Sequence, residues 1–339
     1  MTPTERPAPG TQPWLDLVVE AAIDPQRPII DPHHHLWPAG QGLRYGLSDL
    51  QADIASGHRV VRTVFVECGA AYDRSAPEHL QSLGETEFVS AQAAGDPTRL
   101  IGGIVASTDL RRPDLDDQLD LHAEAGGELF KGIRHALARA DHPEVMRIPG
   151  HAPRDLADDP AFVRGVVRLG DRGLTYDTWH YHYQNRDFLG LARAAPQTTM
   201  VLDHFGTPIG VGPYAARRDE IRAQWRADIA EIATCPNVVA KLGGLAMPDN
   251  GFGWDTAQRP PTSDEFVEVQ REWYLHTIDC FGPDRCMFES NFPVDRWSLS
   301  YGVLWNGLKK IAAGFSEAEQ QALFHDTAAR VYRLPVDRQ

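Results

Sequence analysis

Short apolar runs that alternate with helical patterns constrain the fold of this chain more than any other feature of its sequence. Eight such runs occur, at residues 28–31, 60–67, 100–106, 129–134, 174–179, 199–203, 237–242 and 285–288. Stretches with helical periodicity lie between and after them, among them 85–94, 114–125, 187–194, 217–233, 265–281 and 304–313. Strands that alternate with helices over about 260 residues indicate an α/β protein. Eight such units predict a (β/α)8 barrel of the TIM type.

The start of the chain separates this barrel from the other common α/β architecture. A doubly wound sheet that binds dinucleotides carries a glycine-rich phosphate loop after an early strand. Here the first apolar run leads into Asp31, Pro32 and three histidines instead. We therefore expect a single barrel domain over residues 29–335. Residues 1–28, which hold six prolines and show little periodicity, are expected to form an N-terminal extension.

The charge and the apolar content of the chain exclude some classes of binding partner. The 339 residues include 33 Lys and Arg against 47 Asp and Glu, a formal net charge of −14. A protein that binds nucleic acid or a membrane surface would carry a basic patch, so neither partner is expected. No membrane-length apolar run, signal-peptide pattern or closely spaced cysteine pair occurs. We expect a cytoplasmic protein that acts on a small molecule, as a monomer or a homo-oligomer.

Histidines gather at the predicted carboxyl ends of the strands. Seven of the 14 do so, namely His33, His34, His35, His135, His180, His182 and His204. In a (β/α)8 barrel those strand ends meet on one face, where catalytic sites lie. Because alternate strand residues point to the same side, His33 and His35 are expected to face the interior while His34 points away. His33, His35, His182 and His204 are therefore the candidate catalytic and metal-binding imidazoles.

Cations and aromatic residues near the same strand ends are candidate substrate contacts. Lys131 and Arg134 lie in the fourth predicted strand, and Lys241 lies in the seventh. A guanidinium holds a carboxylate as a fork and an ammonium holds it as a point charge, so these side chains could bind an acidic substrate. Ion pairing with neighbouring acidic residues is the alternative. His180 and Trp37 complete the set of candidate substrate contacts.

Eight stretches around these residues form an ordered series. They are 31–37 (DPHHHLW), 66–68 (VEC), 84–88 (GETEF), 131–135 (KGIRH), 181–184 (YHYQ), 202–208 (LDHFGTP), 241–244 (KLGG) and 285–293 (RCMFESNFP). The series resembles the amidohydrolase-2 branch of the amidohydrolase superfamily, which includes sugar lactonases and 2-pyrone-4,6-dicarboxylate lactonase. The resemblance covers about residues 28–334 and implies a (β/α)8 barrel that hydrolyses lactones or related carbonyl compounds. A decarboxylase, a lactone isomerase and a non-catalytic binding protein are the alternatives.

The eighth strand departs from the pattern that this resemblance implies. Most members read Gly-Ser-Asp-Trp-Pro there, and their aspartate serves as general base or metal ligand. The matching residues here read ESNFP (289–293), and the amide of Asn291 cannot take up a proton. Glu289 lies two residues earlier, on the same face of a strand. We hypothesise that Glu289 is the base and that Asn291 hydrogen-bonds the substrate. The alternative is that Glu289 is a buried ion-pair partner of Lys131 or Lys241.

The same departure leaves two possibilities for a metal. Zinc sites combine histidine nitrogens with carboxylate oxygens and keep one position open for water. The four candidate histidines supply enough nitrogens, but the carboxylate is present only if Glu289 or Glu67 provides it. The resemblance therefore implies either one divalent metal, Zn or Mn, or a metal-independent reaction. In the second case the histidines and an arginine would polarise the carbonyl directly.

Overall fold

Eight parallel strands form the barrel in the computed structural model, which describes residues 7–335. They are β1 (Ile29–His34), β2 (Val60–Val66), β3 (Ile101–Ala106), β4 (Phe130–Arg134), β5 (Thr175–Thr178), β6 (Met200–Leu202), β7 (Val238–Leu242) and β8 (Cys286–Phe288). They pair in chain order from β1 to β8. The chain after β8 returns to β1, because His35 N donates to the Phe292 carbonyl at 2.8 Å and Asn291 N to the His33 carbonyl at 3.0 Å. The predicted (β/α)8 barrel is thus confirmed, in a nearly closed form.

Helices cover the outside of the barrel. Within residues 7–335 the α-helices are α1 (Gln12–Leu15), α2 (Leu47–Ile54), α3 (Leu83–Gly95), α4 (Leu115–Gly126), α5 (Pro160–Asp171), α6 (Asn185–Ala194), α7 (Arg218–Ile232), α8 (Ser263–Phe281), α9 (Tyr301–Ala312), α10 (Glu317–Gln321) and α11 (Thr327–Val331). Large side chains such as Trp225, Trp305 and Phe162 are fully buried in the layer between helices and strands. None of these helices is both long and apolar enough to cross a membrane.

The two terminal segments pack on opposite parts of the barrel. In the predicted extension, Glu20 accepts hydrogen bonds from Ser263 N at 2.8 Å and from Asn306 Nδ2 at 3.0 Å. The first six residues of that extension lie outside the described residues. At the other terminus, Tyr332 and Leu334 join the apolar cluster of inward-facing strand residues. The C-terminal segment therefore closes the amino end of the barrel and leaves the carboxyl end for a site.

Candidate active site

A buried carboxylate, Glu289, links two of the predicted histidines. It directly follows β8, and its Oε1 lies 2.7 Å from His204 Nδ1 while its Oε2 lies 2.9 Å from His33 Nδ1. The side chains of Glu289 and His33 are fully buried. Ligand atoms of the three residues all lie within 4.8 Å of one another. The carboxylate after the eighth strand therefore does lie among the histidines, and its catalytic role stays a prediction.

Lys241 of β7 supplies one positive charge at this centre. Its Nζ lies 3.4 Å from His33 Nδ1, 2.9 Å from Asp177 Oδ2 and 3.3 Å from Asp203 Oδ1. Burial alone would lower the pKa of Lys241, but the two aspartates outweigh it and raise that pKa above its ordinary value. Lys241 is therefore charged. Asp177 is a site residue that sequence reasoning missed, although an acidic residue inside the apolar run 174–179 was a usable signal. Tyr332 from the C-terminal segment also donates to Asp177.

Arg134, the last residue of β4, supplies the second positive charge. Its Nε donates to Glu67 Oε1 at 2.7 Å, and its Nη2 donates to the Glu67 carbonyl. Its Nη1 lies 3.4 Å from both His33 Nε2 and Asp203 Oδ2. Residues that lie in or directly after β1, β2, β4 and β6 thus meet at one guanidinium. The predicted alternative of ion pairing with acidic residues is what the structure contains at Arg134.

The centre holds more negative than positive side chains. Its four carboxylates, Glu67, Asp177, Asp203 and Glu289, face two cations, Arg134 and Lys241. Burial and the neighbouring Lys241 charge hold the pKa of His33 well below its ordinary value, so His33 is neutral. Burial also opposes protonation of His204, but the Glu289 carboxylate raises the pKa of His204. His204 and Glu289 therefore form an ion pair in the absence of any other cation.

His35 keeps one unprotonated ring nitrogen for a ligand, whereas the unprotonated nitrogen of His182 already accepts a hydrogen bond. His35 Nδ1 lies 2.7 Å from the Val66 carbonyl, which can only accept, so its Nε2 carries the lone pair. His182 Nδ1 accepts from Ile209 N at 3.2 Å, so the neutral ring carries its proton on Nε2. The His35 ring lies 4.9 Å from the His33 ring, centroid to centroid. His182 packs instead against Tyr183 and Tyr214 in the loops above the strands.

Of three predicted substrate contacts, Lys131 lies away from the charged centre, whereas Trp37 and His180 lie beside it, His180 close enough for Asp203 to influence its pKa. Lys131 is only the second residue of β4, so it lies toward the amino end of the barrel, where its Nζ reaches the Arg333 carbonyl at 3.5 Å. His180 bonds to Asn185 at 3.1 Å and stacks on Phe188. The Trp37 ring lies 5.9 Å from the His35 ring, beside the centre. Assigning Lys131 and Arg134 to the same strand did not predict that they lie at opposite ends of the barrel.

Asn291 is held by a neighbouring carboxyl group. Its Nδ2 donates to Asp295 Oδ1 at 3.0 Å, and both side chains are buried. Burial raises the pKa of Asp295 to about 7. The amide orientation is therefore set by Asp295, a residue that sequence reasoning missed. The contact of Asn291 with substrate stays a prediction.

Two glycines after β7 allow the backbone to approach the catalytic candidates. A Cβ on Gly243 would lie 2.4 Å from Glu289 Cγ, and one on Gly244 would lie 2.3 Å from His204 Nδ1. Gly244 also has a φ of +75°, a conformation that side chains disfavour. In the KLGG motif, the backbone of the two glycines after Lys241 therefore packs directly against Glu289 and His204.

The donor set at the centre fits one divalent cation. Glu289 Oε2 is buried yet accepts no hydrogen bond, although it lies beside His33 Nδ1. Two imidazoles and one carboxylate are a common ligand set for zinc. The surplus of two negative charges among the surrounding side chains would also be balanced by one divalent ion. Its ligands would be His33, His204 and Glu289.

Comparisons with known proteins agree with this architecture. An L-fucono-1,5-lactonase of Burkholderia multivorans is 31% identical over 318 residues, which cover 90% of this chain and 96% of that protein. An uncharacterized protein of Sinorhizobium fredii is 33% identical over 327 residues, 90% of this chain and 98% of that protein. A crystal structure of an amidohydrolase from Burkholderia multivorans with bound zinc has 28% identity and a TM-score of 0.71, and covers 91% of this chain and 99% of that one.

The family assignment rests on a match over almost the whole barrel. The sequence model of the family described as Amidohydrolase matches residues 30–334, from β1 to the C-terminal segment. The lactonase relative is matched over nearly its full length. The chain therefore belongs to the amidohydrolase family and is an enzyme of that family.

Proposed function

We propose that this enzyme hydrolyses a lactone to the corresponding hydroxy acid at the carboxyl end of the barrel. The observation that carries the proposal is the buried Glu289 carboxylate between His33 and His204, with one oxygen that accepts no hydrogen bond. The similarity to an L-fucono-1,5-lactonase supports a cyclic ester as the substrate class. Family membership supports hydrolysis.

In the proposed reaction Glu289 activates water. Its Oε1 is held by His204 Nδ1, so Oε2 is the oxygen that takes the water proton. The water oxygen forms a bond to the lactone carbonyl carbon, and the carbonyl oxygen becomes an oxyanion. When the ring C–O bond breaks, the leaving alkoxide takes the proton back from Glu289 or from the adjacent His204. One water is consumed and one hydroxy acid is formed.

The oxyanion needs fixed donors in a site shielded from water. His204 donates from Nδ1 to Glu289, and because this carboxylate raises its pKa the ring also carries a proton on Nε2. The neutral His182 carries its proton on Nε2, because its Nδ1 accepts from Ile209 N. Arg134 and Lys241 add positive charge beside His33. We propose that the two imidazoles donate hydrogen bonds to the carbonyl oxygen. The two cations stabilise the negative charge that develops on this oxygen.

A divalent metal is proposed at the same centre, held by His33, His204 and Glu289. In the metal-bound form His204 would be a neutral imidazole ligand and would no longer donate to the carbonyl oxygen. Such a metal would polarise the carbonyl and lower the pKa of water. His33 suits a ligand role, because burial and Lys241 keep its imidazole neutral. His35 presents a second unprotonated nitrogen, Nε2, close to His33.

The test is a panel of lactones assayed by acid release in weakly buffered indicator. The panel contains L-fucono-1,5-lactone, other sugar lactones and lactones of aromatic degradation. Each is assayed with protein as purified, after chelator treatment, and after reloading with Zn or Mn. Elemental analysis of the same preparations reports the metal content.

We expect ring-opened acid from at least one lactone. Activity that falls after chelation and returns with metal supports the metal site, and activity that survives chelation contradicts it. Release of CO2, or a lactone with a shifted double bond, would instead identify a decarboxylase or an isomerase. Thermal stabilisation by lactones without any turnover would identify a binding protein.

A further inference from the structure

A second concentration of positive charge lies at the amino end of the barrel, opposite the active site. A cavity of about 940 Å³ opens there, at the beginning of β3 and β4. Its lining includes four cations, Arg62, Arg99, Lys131 and Arg333, and two acidic residues, Glu124 and Glu128. The chain as a whole has a net charge of −14, so a local excess of cations needs an explanation.

Lys131 is the buried member of this group. The residue is only 7% exposed, and among residues 7–335 its Nζ reaches one weak acceptor, the Arg333 carbonyl at 3.5 Å. Arg333 Nη2 in turn donates to the Lys131 carbonyl at 3.1 Å, which keeps the two residues together. Burial and the Arg333 charge lower the pKa of Lys131. A desolvated ammonium beside a like charge is costly, and a bound anion would offset that cost.

Two consecutive glycines of β3 lie between Arg62 and Lys131. β3 lies between β2 and β4 and begins with Ile101, Gly102 and Gly103. A Cβ on Gly103 would lie 3.0 Å from Lys131 Cγ, and one on Gly102 would lie 3.4 Å from Arg62 Cδ. The glycine pair therefore leaves space in which the stems of Lys131 and Arg62 lie on either side of β3.

The carboxyl ends of two helices offset part of this positive charge. The last residues of α3 and α4 line the cavity, and a helix C-terminus carries about half a negative charge. Lys131 is the most buried of these four cations, so its charge is the least hydrated.

We propose that this cavity binds a phosphate group, free or carried by a small molecule, with Lys131 and Arg333 as its principal ligands. A dianion matches the adjacent pair of cations, since the guanidinium offers a fork and the ammonium a point charge. Ile101, Phe130 and Leu334 add an apolar wall beside them, suited to the organic part of a phosphate ester. The proposal is independent of the hydrolytic function.

Isothermal titration with inorganic phosphate and with phenyl phosphate tests the site, at constant ionic strength in chloride. Wild type is compared with Lys131→Met and with Lys310→Gln, whose exposed partner Asp264 makes it a matched loss of one positive charge. We expect saturable binding in wild type and Lys310→Gln, and at least tenfold weaker binding in Lys131→Met. Equal binding by Lys131→Met would overturn the proposal, because the phosphate would then lie at other cations. Tighter binding of phenyl phosphate would identify an ester, and equal binding the phosphate group alone.

Thermal melts in phosphate-free buffer separate ligand binding from a structural role. We expect Lys131→Met to melt at the same temperature as wild type or higher, because it removes a buried charge beside Arg333. A lower melting temperature, with no effect of phosphate on wild type, would show that Lys131 only caps carbonyl groups and would overturn the proposal. A chain ended after Pro335 is the second variant. If phosphate binds only to that shortened chain, the intact enzyme has no phosphate site and the proposal fails.

Discussion

Replacing Glu289 by glutamine tests the active site with the smallest change of shape. The amide keeps an oxygen that can accept from His204 Nδ1, 2.7 Å away in the wild type, but it cannot take up a proton. Loss of a general base costs about 10²- to 10⁴-fold in rate. At 1.36 kcal/mol per factor of ten, that is about 2.7–5.4 kcal/mol of activation free energy. We therefore expect kcat to fall by that factor while KM changes little.

The same substitution has a separate effect on stability. The hydrogen bond from His204 to Glu289 joins two charged groups, and such bonds contribute about 1.5–3 kcal/mol. The amide also removes one of the four carboxylates that face Arg134 and Lys241. We expect the free energy of unfolding to fall by about 1.5–3 kcal/mol, measured by urea denaturation. A folded variant with low kcat would thus separate the catalytic loss from the structural one.

Steady-state kinetics on a lactone that the wild type hydrolyses provide the assay. Glu85→Gln is the matched control, because Glu85 is equally buried but binds the backbone N–H groups of Cys68 and Ala70. Its kcat should stay within a few-fold of wild type. Undiminished kcat in Glu289→Gln would refute the assignment of Glu289 as base. Equal losses in both variants would show that any buried carboxyl substitution disturbs the barrel.

Two further substitutions, together with the pH dependence of the Glu85→Gln control, test the surroundings of the site. Gly244→Ala places a Cβ 2.3 Å from His204 Nδ1, so we expect about 10²-fold lower kcat/KM and a lower melting temperature; wild-type kinetics would contradict this. Burial raises the pKa of Glu85 to about 8, so its stabilising contribution is complete below pH 4.5 and is lost as pH rises through 8. Over this range the free energy of unfolding of wild type should fall more than that of Glu85→Gln, and parallel pH curves would refute it. Asn291→Asp replaces the amide that donates to Asp295 with a second carboxylate. Above pH 7 the free energy of unfolding, measured by urea denaturation, should therefore drop by about 1–3 kcal/mol. A higher free energy of unfolding in this variant would contradict the hydrogen bond between the two residues.

Alternating strand and helix patterns were sufficient to predict the barrel. Each of the eight strands overlaps the apolar run that predicted it, because a strand buried between the helices and the barrel interior is apolar along its length. The same reasoning brought His33, His204 and Glu289 together, since parallel strands end on one face. The two-residue spacing between Glu289 and Asn291 pointed to the carboxylate that lies at the centre.

Sequence alone did not decide which charged side chains share that centre. Lys131 and Arg134 are three residues apart in one short strand, yet one lies at a cavity at the amino end and the other beside His33. Asp177 and Asp203 are placed by barrel closure, which brings β5, β6 and β7 around one ammonium group. The periodicity of a strand determines which side a residue faces, but its height along the barrel axis depends on how all eight strands are staggered. That stagger exists only in the folded barrel.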